Sequence, residues 1–469
     1  MTTPVSITFL GAARTVTGSM HLLQVGQQRL LVDSGLYQGH RDEAQRRNHD
    51  VPRAATEADA AILTHAHIDH CGNLPTVVKR GFSGPIHCTG ATADVTTYML
   101  RDAARIQVHD AEYLNRKHQH DRDWHEIEPL YNERDAERAL ERLAPHTYDA
   151  PFQPITGVTA RFIDAGHVLG SSSVILDIDR GKRAEPLRVV FSGDIGRRGL
   201  PILRDPVIPS GADYVVMEST YGDRLHAPAR EIHEQLAKAV DFTRERGGKV
   251  IIPSFALERT QEIVFALNQL VRSGRVEPIP VYVDSPLAIN LTEVFRRHPE
   301  CYDAETLQFE AESGDPFGFD GLKMVESVEE SKALTNSTEP AVIIAASGMC
   351  EFGRVVHHLR RAVGDPNSTV VIVGYQAQHT LGRRFVERRK EVRVLGVMRE
   401  RRCHVTVLDA FSAHADRDEL LWWAEGCGEQ VRRFFLVHGD PDQSEAFAEH
   451  LAARGREAHV PARGERIEL

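Results

Sequence analysis

The sequence predicts an α/β protein in which a β-rich domain carries an inserted α/β module. Three observations predict it. Short apolar segments separated by Gly or polar turns fill the first third, as in a β-meander. Apolar strands then alternate with helical segments through the middle of the chain. Strand signals return toward the C-terminal end. The length of 469 residues exceeds one typical domain. Hydrophobic residues at 41% and charged residues at 26% are ordinary for a globular chain able to build a core.

The first strands are expected at 6–10, 20–25 and 29–33. Residues 60–64, Ala-Ala-Ile-Leu-Thr, read as a buried strand running straight into a histidine cluster, and 73–79 as helix. Residues 99–145 are charged, with helical spacing and no strand signal. Within them Lys117-His118-Gln119-His120 reads as a solvated helix or loop, because no carboxylate or Cys pattern completes a metal site. Strands resume at 157–164, 172–177 and 187–191, and another ends at 213–217. The middle reads strand 249–253, helix from about Leu257, strand 281–284, helix from about Ala288, then strands 341–345 and 369–373. After Lys390 strands return at 392–397 and 404–408, followed by helix 419–424, strand 433–437 and helix 444–454.

Composition narrows the function classes. No apolar run approaches the roughly 20 residues of a membrane span, so no membrane association is expected. The N-terminus lacks a basic leader and does not read as a signal peptide. Six scattered cysteines without a CxxC pair point to free thiols in a reducing cytoplasm. Cys71 reads as a small buried residue beside the site rather than a ligand. The net charge of −11 argues against nucleic-acid coating by the whole surface but leaves room for a local basic groove.

The chemistry is concentrated in His65-Ala66-His67-Ile68-Asp69-His70. Residues two apart on an extended stretch point the same way, so His65 and His67 can grip one ion. Asp69 and His70, at a turn into a helix, can face a second. Imidazole and carboxylate suit zinc. Four ligands cannot fill two open sites, and three more residues stand in Gly-flanked loops after strands: His167, Asp194 and His438.

These residues resemble the metallo-β-lactamase superfamily, and more narrowly its β-CASP nuclease branch, over nearly the whole chain. Asp33 in Leu31-Val32-Asp33-Ser34-Gly35 looks like the first motif, the histidine cluster the second, His167 the third and Asp194 the fourth. Glu218 in Met217-Glu218-Ser219-Thr220-Tyr221-Gly222 resembles motif A, His414 in Phe411-Ser412-Ala413-His414-Ala415-Asp416 motif B, and His438 motif C. The chain looks closest to bacterial and archaeal relatives of the mRNA 3′-end cleavage endonuclease subunit, without the N-terminal RNA-binding extension of some archaeal members. The resemblance implies a metallo-β-lactamase αββα sandwich at 1–221 and 391–469, interrupted by a β-CASP domain at 222–390.

It further implies two Zn²⁺ per chain. One is held by His65, His67 and His167, the other by Asp69, His70 and His438, with Asp194 bridging and Asp33 orienting ligands from behind. Two metals roughly 3.5–4 Å apart can clamp a phosphodiester in an in-line displacement. Asp69, Glu218 and His414 are the expected catalytic residues, with His414 as the acid for the leaving alkoxide and Glu218 holding it. The family places phosphate contacts in loops that here contain Ser347, Gly348 and Arg354, and Thr380, Gly382 and Arg383; Arg259 is a further candidate. Cys350-Glu351-Phe352 and Gln378-His379 depart from the pattern of close relatives, and an added acid near a phosphate path is repulsive.

The expected function is a zinc-dependent ribonuclease acting on single-stranded RNA, endonucleolytic and with 5′→3′ exonucleolytic activity also open, located in the cytoplasm. A homodimer is implied by resemblance only. The alternatives are a DNA nuclease of the same family, which typically has an apolar residue at motif C, and a non-catalytic RNA-binding subunit, which loses ligands that this chain keeps. A small-molecule hydrolase is disfavoured by the large insert and by motifs A to C.

Overall fold

The computed structural model describes residues 3–120, 126–181, 185–226, 232–374, 376–408 and 412–469. Residues 121–125 of the expected charged helical segment, and Phe411 of the motif B sequence, lie outside the described residues. The chain forms two compact units. One comprises 1–198, 205–225 and 414–469, the other 199–204 and 226–413.

In the first unit two seven-stranded sheets form among the described residues. One runs Arg466–Glu468, Val5–Phe9, His21–Val25, Gln28–Val32, Ala60–Ile62, Ile86–Thr89 and Leu143–His146. The other runs Ala458–His459, Arg433–Val437, Tyr214–Glu218, Leu187–Phe191, Ser172–Ile178, Val158–Asp164 and Phe152–Ile155. Alternate side chains of each sheet meet in one core. Val5, Ile7 and Phe9 and the alternate residues Leu30 and Val32 come from the first sheet; Val158, Ala160 and Phe162 and Val174, Leu176 and Ile178 come from the second. The opposite faces are apolar too, and helices cover them. Leu22, Leu31 and Ala61 share a cluster with Leu74, Leu100 and Ala136; Val215, Met217 and Leu436 share one with Leu420, Trp423 and Phe447. The result is the αββα layering. Sheets buried on both faces explain why 189–191 and 434–437 read as unbroken apolar runs.

The second unit is built on a six-stranded parallel sheet among the described residues, ordered Leu322–Met324, Val281–Val283, Ala341–Ala345, Lys249–Pro253, Thr369–Val373 and His404–Leu408. The chain leaves Lys249–Pro253 toward one edge and later returns to the other side of it. That reversal is a topological switch point, and sheets of this kind seat ligands at the carboxyl ends of the strands that flank one.

The structure corrects the expected element map at three points. Strands Ile86–Thr89, Leu143–His146 and Phe152–Ile155 are hidden in the sequence, being short and flanked by charged helical stretches. The expected strand 392–397 is a hairpin, Glu391–Val394 against Val397–Glu400, turning at Leu395 and Gly396, both with positive φ. His404–Leu408 pairs with Thr369–Val373. The second unit therefore runs past the expected boundary at 390, because a sixth parallel strand completes its sheet. Among the described residues no helix is long and apolar enough to cross a membrane. All six cysteines are buried, and none forms a disulfide among the described residues.

Candidate metal centre

The histidine cluster is positioned from below by a buried strand and from above by a single helical turn. Strand Ala60–Ile62 is fully buried, and Leu63 continues its ladder by donating to His87 O at 2.8 Å. His67 is extended and caps the turn Ile68–Cys71, which turns Asp69 and His70 back toward His65. The Asp33 loop packs on this turn so closely that a Cβ at Gly35 would lie 1.5 Å from Asp69 O. Likewise a Cβ at Gly196 would lie 1.6 Å from Gly166 O, so the Asp194 and His167 loops interlock through backbone alone.

Three imidazole nitrogens converge. His67 Nδ1 lies 3.2 Å from His65 Nε2 and 3.1 Å from His167 Nε2. Together with Asp194 these three form one group able to hold a metal ion. Asp69, His70 and His438 form a second such group, with His438 Nε2 3.3 Å from Asp69 Oδ2. Asp194 lies between the groups. Its carboxylate is 3.5 Å from His65 and from His438, 3.6 Å from His167 and 3.3 Å from His70. Both of its oxygens are buried without a properly directed hydrogen bond. A buried carboxylate left unsatisfied among histidines is costly for an empty protein and suited to a cation. The donor set of imidazoles and carboxylates therefore fits metal ions of the zinc class.

The electrostatics agree with that use. Burial holds the His65 imidazole well below its usual pKa and lowers that of His67 to about 4, which keeps their nitrogens free to ligate. Burial opposes the charge on Asp69, but the His438 hydrogen bond and neighbouring histidines outweigh it and hold its carboxyl at about 2. Asp33 sits behind the site. Its Oδ2 is 2.8 Å from His70 Nδ1, and its two oxygens accept from Thr64 N and Thr64 Oγ1 at 2.8 and 2.9 Å. An Nδ1–H given to Asp33 turns His70 Nε2 toward Asp194.

His414 and Glu218 adjoin the cluster. His414 Nδ1 lies 3.1 Å from Glu218 Oε1 and 4.0 Å from Asp194 Oδ2. Glu218 is wholly buried, whereas the His414 side chain is 21% exposed, so His414 is the member of the pair that can meet substrate. Burial lowers the His414 pKa, but the charge and hydrogen bond of Glu218, with Asp194 and Asp69, outweigh it and raise it to about 9. Asp416, two residues on, forms a capping box with Glu419 that starts helix Arg417–Gly426 and fixes this stretch of chain.

Sequence reading misses three polar supports. Thr64 Oγ1 touches Asp33 and lies 3.1 Å from His65 Nδ1. Thr220 Oγ1 is 3.1 Å from His438 Nδ1, and Ser19 Oγ is 3.3 Å from His70 Nε2. Thr64 and Thr220 adjoin the recognised motifs, and a search for hydroxyls flanking each ligand finds them; Ser19 is distant in sequence and carries no such signal. Cys71 is buried, its Sγ 3.3 Å from Ala66 O, and burial raises its pKa well above the usual value. His118 ends the long helix Gly90–His118, and among the described residues it joins no metal-holding group.

The expected phosphate-contacting residues all fall in the second unit. Ser347 and Gly348 follow strand Ala341–Ala345, and Thr380, Gly382 and Arg383 open helix Leu381–Val386 after Thr369–Val373. The two loops meet: Gln376 Nε2 donates to Gly348 O at 3.1 Å and Gly382 N to Met349 O at 3.2 Å. Ser347 Oγ is buried and unsatisfied. Glu351 accepts from Leu381 N, so the unexpected acid is held on the second loop. Arg354 is turned elsewhere. It donates to Asp284 Oδ1 at 2.7 Å and to the carbonyls of Val325 and Glu326 at 3.0 and 2.6 Å. Arg259 is buried and paired with Glu262.

Comparison with known proteins follows the same outline. Residues 13–254 match the metallo-beta-lactamase superfamily, 260–385 a Beta-Casp domain, and 398–461 a Zn-dependent metallo-hydrolase RNA specificity domain. Ribonuclease TTHA0252 of Thermus thermophilus is 38% identical, over 97% of this chain and 98% of its own. An RNase J-like protein of Methanocaldococcus jannaschii is 30% identical, over 95% of this chain and 94% of its own. Transcription termination factor FttA of Methanosarcina mazei is 30% identical, over 93% of this chain and 67% of its own. A crystal structure of a protein of unknown function from Enterococcus faecalis V583 shares the fold, with a TM-score of 0.54 at 13% identity over 99% of this chain and 100% of that one. Fold and cluster together define a metal-dependent hydrolase. The chain belongs to the metallo-β-lactamase superfamily, in its β-CASP ribonuclease branch.

Proposed function

We propose that this chain is a zinc-dependent ribonuclease that hydrolyses phosphodiester bonds of single-stranded RNA with two metal ions, cutting endonucleolytically, with added 5′→3′ exonucleolytic cutting left for the test below to decide. The observation that carries the reading is Asp194, buried and unsatisfied among ring nitrogens, with the Glu218–His414 pair beside it. In this reading His65, His67 and His167 would hold one ion and Asp69, His70 and His438 the other, with Asp194 placed between the two groups. When bound, the ions acidify a water to a pKa of about 7 and offset charge on the phosphate oxygens.

The protein's own residues do the rest. Asp33 fixes the orientation of His70, and Thr64 and Thr220 do the same for His65 and His438. His414, its Nδ1 3.1 Å from the buried Glu218 carboxylate, would give its proton to the leaving alkoxide. Glu218 keeps that imidazole charged and aligned. Ser347, Gly348, Thr380, Gly382 and Arg383 contact RNA phosphates, whereas Arg354 holds the second unit together through Asp284. Cytoplasmic location and a homodimer belong to the same reading, supported by family resemblance alone.

The test is incubation of purified protein with 5′- and 3′-labelled RNA and matched DNA, alongside metal analysis. Internal fragments from RNA are expected, a 5′ ladder beside them marks exonucleolytic cutting, and neither is expected from Asp69→Asn or His70→Ala. Cleavage of DNA but not RNA overturns the substrate assignment.

A further inference from the structure

We propose that the hairpin Glu391–Val394/Val397–Glu400 and the chain flanking it form a docking surface for the backbone of single-stranded RNA, separate from the phosphate-contacting loops named above. The inference rests on the ribonuclease reading for the identity of its partner. It begins with charge. Between residues 384 and 402 eight Arg or Lys accompany three Glu, in a chain whose net charge is −11. Such a segregated patch costs self-repulsion and attracts a polyanion.

Local structure turns that run into a surface. Val392 and Val394 are buried with Leu381, Phe385 and Cys403, anchoring one face of the hairpin. Arg388, Lys390 and Arg393 are exposed. Arg383 and Arg389 share Glu387, at 3.1 and 2.9 Å, but Arg388, Lys390 and Arg393 have no carboxylate partner among the described residues. Glu391 and Glu400 stand directly opposite each other across the hairpin, a repulsive pair that the surrounding cations offset. At the turn, Leu395, Val397 and Met398 are about half exposed, an apolar tip beside the cations.

That combination distinguishes occupants. Unpaired cations match phosphates, and an apolar tip offers the faces of unstacked bases a contact that a duplex keeps hidden. An acidic protein or a second copy of this chain is the competing occupant. A second copy is disfavoured because its identical hairpin would bring cation against cation.

The experiment compares the full-length protein with the triple variant Arg388→Gln/Lys390→Gln/Arg393→Gln and with its Arg388→Lys/Arg393→Lys counterpart. Fluorescence anisotropy with a labelled 40-nucleotide poly(U) measures binding across a salt series, and cleavage is followed on that RNA and on a 6-nucleotide oligomer. We expect the triple variant to bind the long RNA at least fivefold more weakly, with a log Kd against log salt slope smaller by about 2, as three lost phosphate contacts require. Its KM for the long RNA rises, kcat and short-oligomer turnover stay within twofold, and the lysine variant retains binding. Unchanged affinity and slope overturn the proposal, as does an equal loss on short and long RNA. A change in oligomeric state by light scattering without a change in RNA affinity assigns the surface to a protein contact and also overturns it. Binding is read without cleavage, so a protein that binds RNA through the hairpin yet cuts none refutes the ribonuclease reading and leaves this one standing.

Discussion

Glu218 Oε1 lies 3.1 Å from His414 Nδ1 and simultaneously accepts from Ile195 N–H at 2.6 Å, the residue next to Asp194. The pair therefore shares its backbone support with the proposed bridging carboxylate. His414→Ala is expected to lower kcat on RNA by roughly 10²–10⁴-fold, the range of a lost general acid, with metal content unchanged. Loss of metal from this variant would mean that His414 is a ligand instead. In Glu218→Gln the imidazolium loses its main support, so its pKa falls from about 9. In the proposed acid role the protonated form is the active one, so the alkaline limb of the kcat profile is expected to move to lower pH; an unmoved limb removes His414 from that role.

Asp33 contacts His70 and Thr64. Asp33→Asn is expected to weaken metal binding by about 10–100-fold while the protein stays folded. Asp194→Asn should cost more, releasing both ions together, since its carboxylate joins the His65, His67 and His167 group and also lies 3.3 Å from His70 and 3.5 Å from His438. Metal content by mass spectrometry and circular dichroism read the two effects separately. One ion retained by Asp194→Asn would show that the sites are independent.

Much of this centre is legible in the sequence, because its ligands are set by local signals: a buried strand, a one-turn helix, Gly-flanked strand ends. His65, His67, His167, Asp194 and His438 can be named from their own neighbourhoods. The supports are less visible. Ser19 reaches His70 across 51 residues, a contact set by sheet pairing rather than by spacing. Arg354 is paired with Asp284, a partner the sequence hides because a cation beside a Gly-rich loop looks the same whether it faces phosphate or a buried aspartate. Short strands such as Leu143–His146 vanish for a related reason: their stability comes from a neighbour, not from their own pattern.

Glu351 accepts from Leu381 N at the start of helix Leu381–Val386. Glu351→Gln removes a negative charge from between two loops proposed to contact phosphate. KM for RNA is expected to fall by about 2–5-fold at low salt and to converge with the parent as salt screens the site. A raised KM would mean that this acid positions the loop and does not repel substrate.

Asp284 is the hub of the second unit. It accepts from Arg354 at 2.7 Å and from Ser331 at 2.6 Å, and lies 2.6 Å from His358 Nε2. Burial pushes its pKa up, but hydrogen bonds from His358, Ser331 and Arg354 outweigh this and hold the carboxyl below the usual range. A depressed carboxylate pKa contributes stability that is present above the unfolded value and is lost as pH falls through the folded one. Asp284→Asn is thus expected to cost about 3–5 kcal/mol near neutrality, as for a broken buried ion pair. Its deficit against the parent should shrink as pH falls below about 4. Urea unfolding at pH 7 and pH 3 measures both; a deficit constant with pH would mean that the aspartate's charge is not what holds the network.

Segment 194–196 has one more consequence. Asp194 lies within 3.6 Å of His65, His167, His70 and His438, Ile195 N–H holds Glu218 while Ile195 O accepts from Ala415 N at 2.7 Å, and Gly196 bridges to His414. Three consecutive residues thus act as a ruler between the proposed metal ligands and the proposed proton donor. A ruler made of backbone cannot be lengthened by changing a side chain. Mutational drift around this centre can alter which RNA enters, but the span between the attacking and leaving sides of the reaction is written into the main chain.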